Sequence, residues 1–181
     1  MKRIIILSLA AVLCSSAAFA GYQTFHNLSL YVPDGWSVER SGSSYAEMYD
    51  PDYPATGRIY VELGSKQGYT LGEIAEQLRY DYRGSNLTAR DYYYDFVYTD
   101  SSGLIWDARV FDYNVESSFP SDTYCLILYT EYVSEADFST VYDSVRYTSG
   151  GGGGGGSSGG CSYGAFQFSA LLLGFAFLRR K

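Results

Sequence analysis

Histidine and cysteine are nearly missing from this chain: one histidine and three cysteines in 181 residues. That leaves little material for a His/Cys metal centre or for nucleophilic catalysis driven by an imidazole base. Positive charge is short as well. Thirteen Lys and Arg stand against 20 Asp and Glu, a net of −7, which disfavours a phosphate-backbone partner. Disorder is excluded by the opposite imbalance. With 46% hydrophobic and 18% charged residues the chain can bury a core, and its length suits one soluble domain rather than two. What is abundant is tyrosine, with 20 copies.

Both ends read as address labels. Residues 1–20 are expected to be a secretory signal peptide. Lys2 and Arg3 begin it, an apolar run too short to span a bilayer follows, and Ala18, Phe19 and Ala20 place small residues where a signal peptidase reads them. Cleavage is expected before Gly21. Cys14 follows Leu13, a residue too large for a lipoprotein signal. At the other end, residues 150–160 form a Gly/Ser tether, because glycine costs the most ordering entropy and offers nothing to bury. Residues 161–181 close with an apolar stretch and Arg179, Arg180 and Lys181. As a helix, residues 161–178 would span roughly 27 Å, marginal for a hydrocarbon core of about 30 Å. The basic triplet belongs on the cytoplasmic side, and the signal peptide sends Gly21 to the other, so the two topology cues agree.

The order of parts at this end is Gly159, Gly160, Cys161 and Ser162 with Gly164, then the apolar stretch, then Arg179, Arg180 and Lys181. It resembles the Synerg-CTERM type of bacterial C-terminal sorting signal, related in layout to the GlyGly-CTERM and MYXO-CTERM types. The resemblance covers about the last 30 residues and implies a sorting protease as partner, with processing near Gly160 and Cys161. The mature protein would then be left at the envelope or surface, with the C-terminal segment as its membrane contact. A glycolipid-anchor signal shares the small-residue, spacer and apolar-tail layout. The polyglycine, the cysteine and the basic end fit it poorly. After removal of the signal peptide only Cys125, in an apolar strand, and Cys161, in the sorting element, remain, so no disulfide framework is expected despite export.

Residues 21–149 are the folded body. They hold eight basic and 20 acidic residues, a net of −12. Leu28, Leu30 and Val32 alternate as a half-buried strand does. So do Ile59, Val61 and Leu63, and then Leu104, Trp106, Ala108 and Val110. Residues 124–129 are apolar on both faces and read as a central strand, and residues 92–98 as an aromatic strand. Two helices carry their own start signals. Thr70 with Glu73 is a capping box before the stripe Leu71, Ile74, Ala75 and Leu78. Ser134 with Asp137 repeats the cap before Phe138, Val141, Tyr142 and Val145. Tyr69 with Ile74, and Val133 with Phe138, are placed as hydrophobic staples. Strands and helices do not alternate strictly, so the expected class is α+β, a mostly antiparallel sheet with two packed helices.

Phe25, the strand Leu28–Val32 and its run into Pro33, Asp34, Gly35 and Trp36 carry a second resemblance, to the Mog1/PsbP/DcrB-like group of small exported domains. A following hairpin and the two helices continue it over some 120 residues, about two thirds of the chain. It implies a fold and a binding, assembly or accessory role, and no shared catalytic set.

The candidate chemistry is sparse. His26 has no nominated partner for acid–base work. Asp50 and Asp52 suit a turn better than a calcium loop, which needs six or more oxygens. Asn27 and Asn86 head short sequons. The tyrosines stand out more. Tyr92, Tyr93, Tyr94, Phe96 and Tyr98 must place rings on both faces of one strand. Tyr93, beside Asp91 and Asp95, is expected to face solvent. Tyr93, Tyr60 and Tyr49 are the candidate ligand-binding residues, and Tyr45 and Tyr53 could extend their surface. Exposed tyrosines give rigid contact area at low entropy cost. The alternative is that these rings only cover cross-strand neighbours. The expected function is a non-enzymatic envelope or surface protein with a binding or accessory role toward a protein or glycan ligand, with no cofactor, no metal and no nucleic acid. Two rivals are a carbohydrate- or peptidoglycan-binding module and a hydrolase using an acidic pair, although no pair is singled out.

Overall fold

The computed structural model describes residues 21–114 and 119–149. The signal peptide with Ala18 and Ala20, the Gly/Ser tether, and the sorting signal with Gly159, Gly160, Cys161, Arg179, Arg180 and Lys181 lie outside the described residues. Among the described residues no helix is long and apolar enough to cross a membrane.

Five strands come first: β1 (Gly21–Phe25), β2 (Leu28–Val32), β3 (Ser37–Ser41), β4 (Tyr45–Tyr49) and β5 (Arg58–Ser65). Helix α1 (Leu71–Asp81) follows, then β6 (Ser85–Ala89), β7 (Tyr93–Thr99), β8 (Ile105–Phe111) and β9 (Thr123–Thr130), then α2 (Glu135–Ser144) and the short β10 (Arg146–Tyr147). The class is α+β, and the described pairings are antiparallel. A seven-stranded sheet runs β3-β4-β5-β9-β8-β7-β6, and a three-stranded sheet runs β1-β2-β10.

Strand β9 takes the middle of the large sheet because it is apolar on both sides. Cys125 and Ile127 enter one core, and Leu126 and Leu128 the other. The first core lies between the large sheet and a cover made of β2 and α2. Ile59, Val61 and Leu63 from β5 meet Leu28, Leu30 and Val32 from β2, and Phe138 and Val141 from α2. Trp36 completes it, delivered by a type II turn in which Trp36 N–H donates to the Pro33 carbonyl at 3.1 Å. Gly35 sits at φ +83°, the left-handed position this turn needs. The second core lies under α1, which packs on β6, β7 and β8 and buries Ala75 against Phe96, Ala108 and Val110.

Both helix caps form. Thr70 Oγ1 accepts from Glu73 N–H while Thr70 N–H donates to the Glu73 carboxylate at 2.9 Å. Ser134 Oγ accepts from Asp137 N–H at 3.1 Å. The staples differ. Val133 packs on the first core, whereas Tyr69 is 60% exposed and belongs to neither core. Strand β6 has no sequence signal, because only Leu87 of its five residues is even half-buried and no alternation can show. Asp50 and Asp52 form a turn, with Asp52 N–H donating to Asp50 Oδ1 at 2.9 Å. His26 is exposed in the β1–β2 turn at φ +53°.

Candidate functional site: a tyrosine-ringed carboxylate beside helix α1

Helix α1 lies over β6, β7 and β8 and leaves the β3–β5 half of its sheet face without a helix. That half carries polar and aromatic side chains. In β5, Arg58, Tyr60 and Glu62 alternate with the buried Ile59 and Val61, so they point to this face. The register sets Tyr49 opposite Arg58, Glu47 opposite Tyr60 and Tyr45 opposite Glu62. Tyr45 and Tyr60 stack with ring centroids 6.0 Å apart.

The charges on this face divide into two groups. Glu47 lies between two guanidinium groups, Arg40 at 2.6 Å and Arg58 at 2.9 Å, and Arg58 also pairs with Glu39. Glu62 is different. Its Oε2 accepts from the Tyr60 hydroxyl at 2.8 Å, and among the described residues it has no ion pair.

Four tyrosines are tied to Glu62, Tyr60 by its hydrogen bond, Tyr45 by cross-strand pairing, and Tyr82 and Tyr124 by lying within reach of its charge. Tyr60 is two residues back on the same strand and Tyr45 lies directly across on β4. Tyr124 is paired with Gly64, two residues on from Glu62. A Cβ at Gly64 would meet the Tyr124 ring at 2.3 Å, so the glycine is what lets that ring lie over the strand at this point. Tyr82, the C-cap of α1, comes from above and packs against Tyr98 at 4.9 Å. Tyr98 in turn stacks on Trp106 at 6.1 Å. Asp100 secures Trp106 by accepting its indole N–H at 3.0 Å. Hydrogen bonds from Ser102, Trp106 and the Leu104 amide hold the Asp100 carboxyl down at about 2.

The phenols register this arrangement. Burial pushes Tyr82 and Tyr124 up to about 12, and the Glu62 charge adds to both. Tyr60 is raised further still by the same two causes. An anion among buried phenols disfavours a second anion, so these rings stay neutral donors across the physiological range.

The structure brings two of the three candidate tyrosines together. Tyr49 and Tyr60 share the β4–β5 face. Tyr93 does not join them, and its expected solvent-facing position is corrected. It pairs with Phe111 in a row that continues to Cys125 and Leu63, which is the opposite face, and it packs half-buried on the first core. There it stands edge-on to Tyr142 and under Arg109, whose guanidinium carbon is 3.9 Å from the Tyr93 centroid. Arg109 also lies over Phe138 at 4.9 Å and Tyr142 at 5.1 Å and bonds Asp95 at 2.9 Å. Tyr53 is exposed in the β4–β5 turn. Glu62, Tyr82 and Tyr124 were not singled out in the sequence. The spacing of Glu62 and Gly64 before a tyrosine-bearing central strand is the only trace they leave.

Two shallow depressions lie elsewhere. One follows the outer side of α1 along Gly72, Glu73, Glu76, Gln77 and Tyr80. The other joins Tyr22 and Tyr31 to Thr140, Asp143 and Ser144. Among the described residues no group of three or more His, Cys, Asp or Glu is arranged to hold a metal ion.

No family model matches the chain, and no curated protein matches it. Among solved structures, one from Bacteroides thetaiotaomicron VPI-5482 is similar at 13% identity and a TM-score of 0.40, over 72% of this chain. The chain spans about half the length of that protein, 49%.

Proposed function

We propose that the chain is exported, held or sorted at the cell envelope through its C-terminal segment, and that its body is a non-enzymatic binding module. The working surface is the β4–β5 face with Tyr45, Tyr49 and Tyr60. One observation carries the choice of surface: these rings sit half-exposed on the part of the large sheet that α1 does not cover. Tyr60 also rests on the second core, as Tyr94 and Tyr98 do, and Tyr93 packs on the first, whereas Tyr45 and Tyr49 belong to neither. The address labels at residues 1–20 and 150–181 support the location, and the likeness of the body to small exported accessory domains of the Mog1/PsbP/DcrB-like group supports the role.

A carbohydrate-binding reading is favoured by one feature, the stacked Tyr45–Tyr60 pair edged by the Glu47 and Glu62 carboxylates. Apolar ring faces with polar groups at their border suit sugar hydroxyls and C–H faces. Pull-down on isolated cell envelopes and a glycan array, each run with the full chain and with Tyr60→Ala, test the surface. Retention that falls in the variant supports it, and retention unchanged by the variant removes it. A reporter fusion found in the cytosol would remove the location.

A further inference from the structure

We propose that Glu62 and the tyrosines around it bind a primary ammonium group carried on a slender alkyl chain, as an amine-bearing peptide side chain presents it. This deepens the reading above and rests on it, since it names the ligand chemistry of the same face.

Charge accounting comes first. The two arginines of this face are committed to Glu47 and Glu39. Glu62 has the Tyr60 hydroxyl on one oxygen and no cation among the described residues. A carboxylate held half-buried among rings is poorly solvated, so a cation brought to it gains more than it would in open water. Tyr45, Tyr60, Tyr82 and Tyr124 add the second element. The faces of aromatic rings attract cations, and desolvation strengthens the attraction. Neutral phenols leave carboxylates as the negative charges felt here, Glu62 ahead of Asp81 at Tyr82 and Tyr124.

The protein uses this recipe on itself. On the opposite sheet face a guanidinium is held by Tyr93, Phe138 and Tyr142 and by the Asp95 carboxylate. The β5 site has the same parts, rings and a carboxylate, with the cation to come from outside. The net charge of −12 on residues 21–149 works in the same direction, concentrating cations and repelling acidic ligands. A primary ammonium fits the site better than a quaternary one, because Glu62 Oε1 has no hydrogen-bond partner among the described residues and can accept from an N–H.

The test is an NMR titration of the full chain with butylammonium chloride, n-butanol and a chitooligosaccharide in turn, read on the tyrosine ring protons. Saturable shifts with butylammonium and none with n-butanol are expected. In Glu62→Gln, which keeps shape and removes charge, the affinity should fall about tenfold. Equal responses to butylammonium and n-butanol in the wild-type chain would overturn the proposal whether or not the variant folds, and so would an unchanged affinity in a folded Glu62→Gln. Chitooligosaccharide binding lost in Tyr60→Ala, with no butylammonium binding, would overturn the ammonium site and leave the binding face standing. Absence of both, with envelope retention insensitive to Tyr60→Ala, would overturn the two together.

Discussion

The two faces of the seven-stranded sheet treat charge in opposite ways. On the α2 face, Arg109 is boxed by Tyr93, Phe138 and Tyr142 and bonded to Asp95, so cation, rings and anion all come from the chain. On the α1 face, Glu62 accepts from Tyr60, pairs across from Tyr45 and acts on Tyr82 and Tyr124, and the chain supplies no cation among the described residues. The same chemistry is closed in one place and open in the other. A closed cluster serves stability, since each charge has its partner. An open one leaves interaction energy for a ligand.

The largest expected effect breaks the closed side. Arg109→Met leaves Asp95 beside Asp107, whose carboxyl is already pushed above the ordinary range, first by burial and then by Asp95 and Glu131. The loss should be about 2–3 kcal/mol, less than for a fully buried pair because 32% of the Asp95 side-chain surface stays exposed. Urea unfolding of the full chain measures it. The matching change on the open side, Glu62→Gln, should stay within about 0.5 kcal/mol, since no charge partner is lost. If the two variants cost the same, the distinction between closed and open clusters fails.

A smaller effect is expected from Gly64→Ala. The new methyl would occupy the space of the Tyr124 ring, 2.3 Å from its nearest atom. The ring can swing outward, so the cost should be about 1 kcal/mol. The larger consequence is at the site, where butylammonium affinity should drop as one wall opens. Unfolding and the NMR titration read the two parts separately; an unmoved Tyr124 ring signal would contradict the packing of that ring over Gly64.

The smallest effect is in the alkaline titration of the phenols, followed by ultraviolet absorbance. Tyr82 and Tyr124 are raised to about 12, as is Tyr129 on the Arg109 side, in all three cases chiefly by burial. Beyond burial, Glu62 raises Tyr82 and Tyr124, whereas at Tyr129 Asp107 raises and Arg109 lowers. Glu62→Gln should therefore bring Tyr82 and Tyr124 down, and Arg109→Met should send Tyr129 up. Because the folded values lie above the unfolded phenol value of about 10, this stability is fully present below pH 10 and is lost as the pH rises through about 12. Shifts of the same sign in both variants would contradict the assignment of charges to faces.

How much was legible follows from the range of each signal. The caps at Thr70 and Ser134 are interactions over three residues, and they form as read. The alternation of Ile59, Val61 and Leu63 set the face of Tyr60 and Glu62 before any partner strand was known. Tyr93 was misplaced for a related reason. Its neighbours Asp91 and Asp95 look like a solvated surface, but Asp95 is neutralised by Arg109 from the next strand, and α2 covers the row. Tyr82 and Tyr124 could not be connected to Glu62 at all, because the three meet only through a helix end and a strand from the other half of the sheet.

Local chemistry in the chain determined which segments become strands and helices, where the helices begin, and which residues of a strand share a side, since each depends on neighbours a few residues away. The choice of which side of the large sheet receives a helix, and which rings are left beside a carboxylate that the chain does not neutralise, belonged to the tertiary structure. Pairing β5 with β9 and seating α1 off to one edge involve residues far apart in sequence, and no periodicity within a single strand encodes what will pack above it.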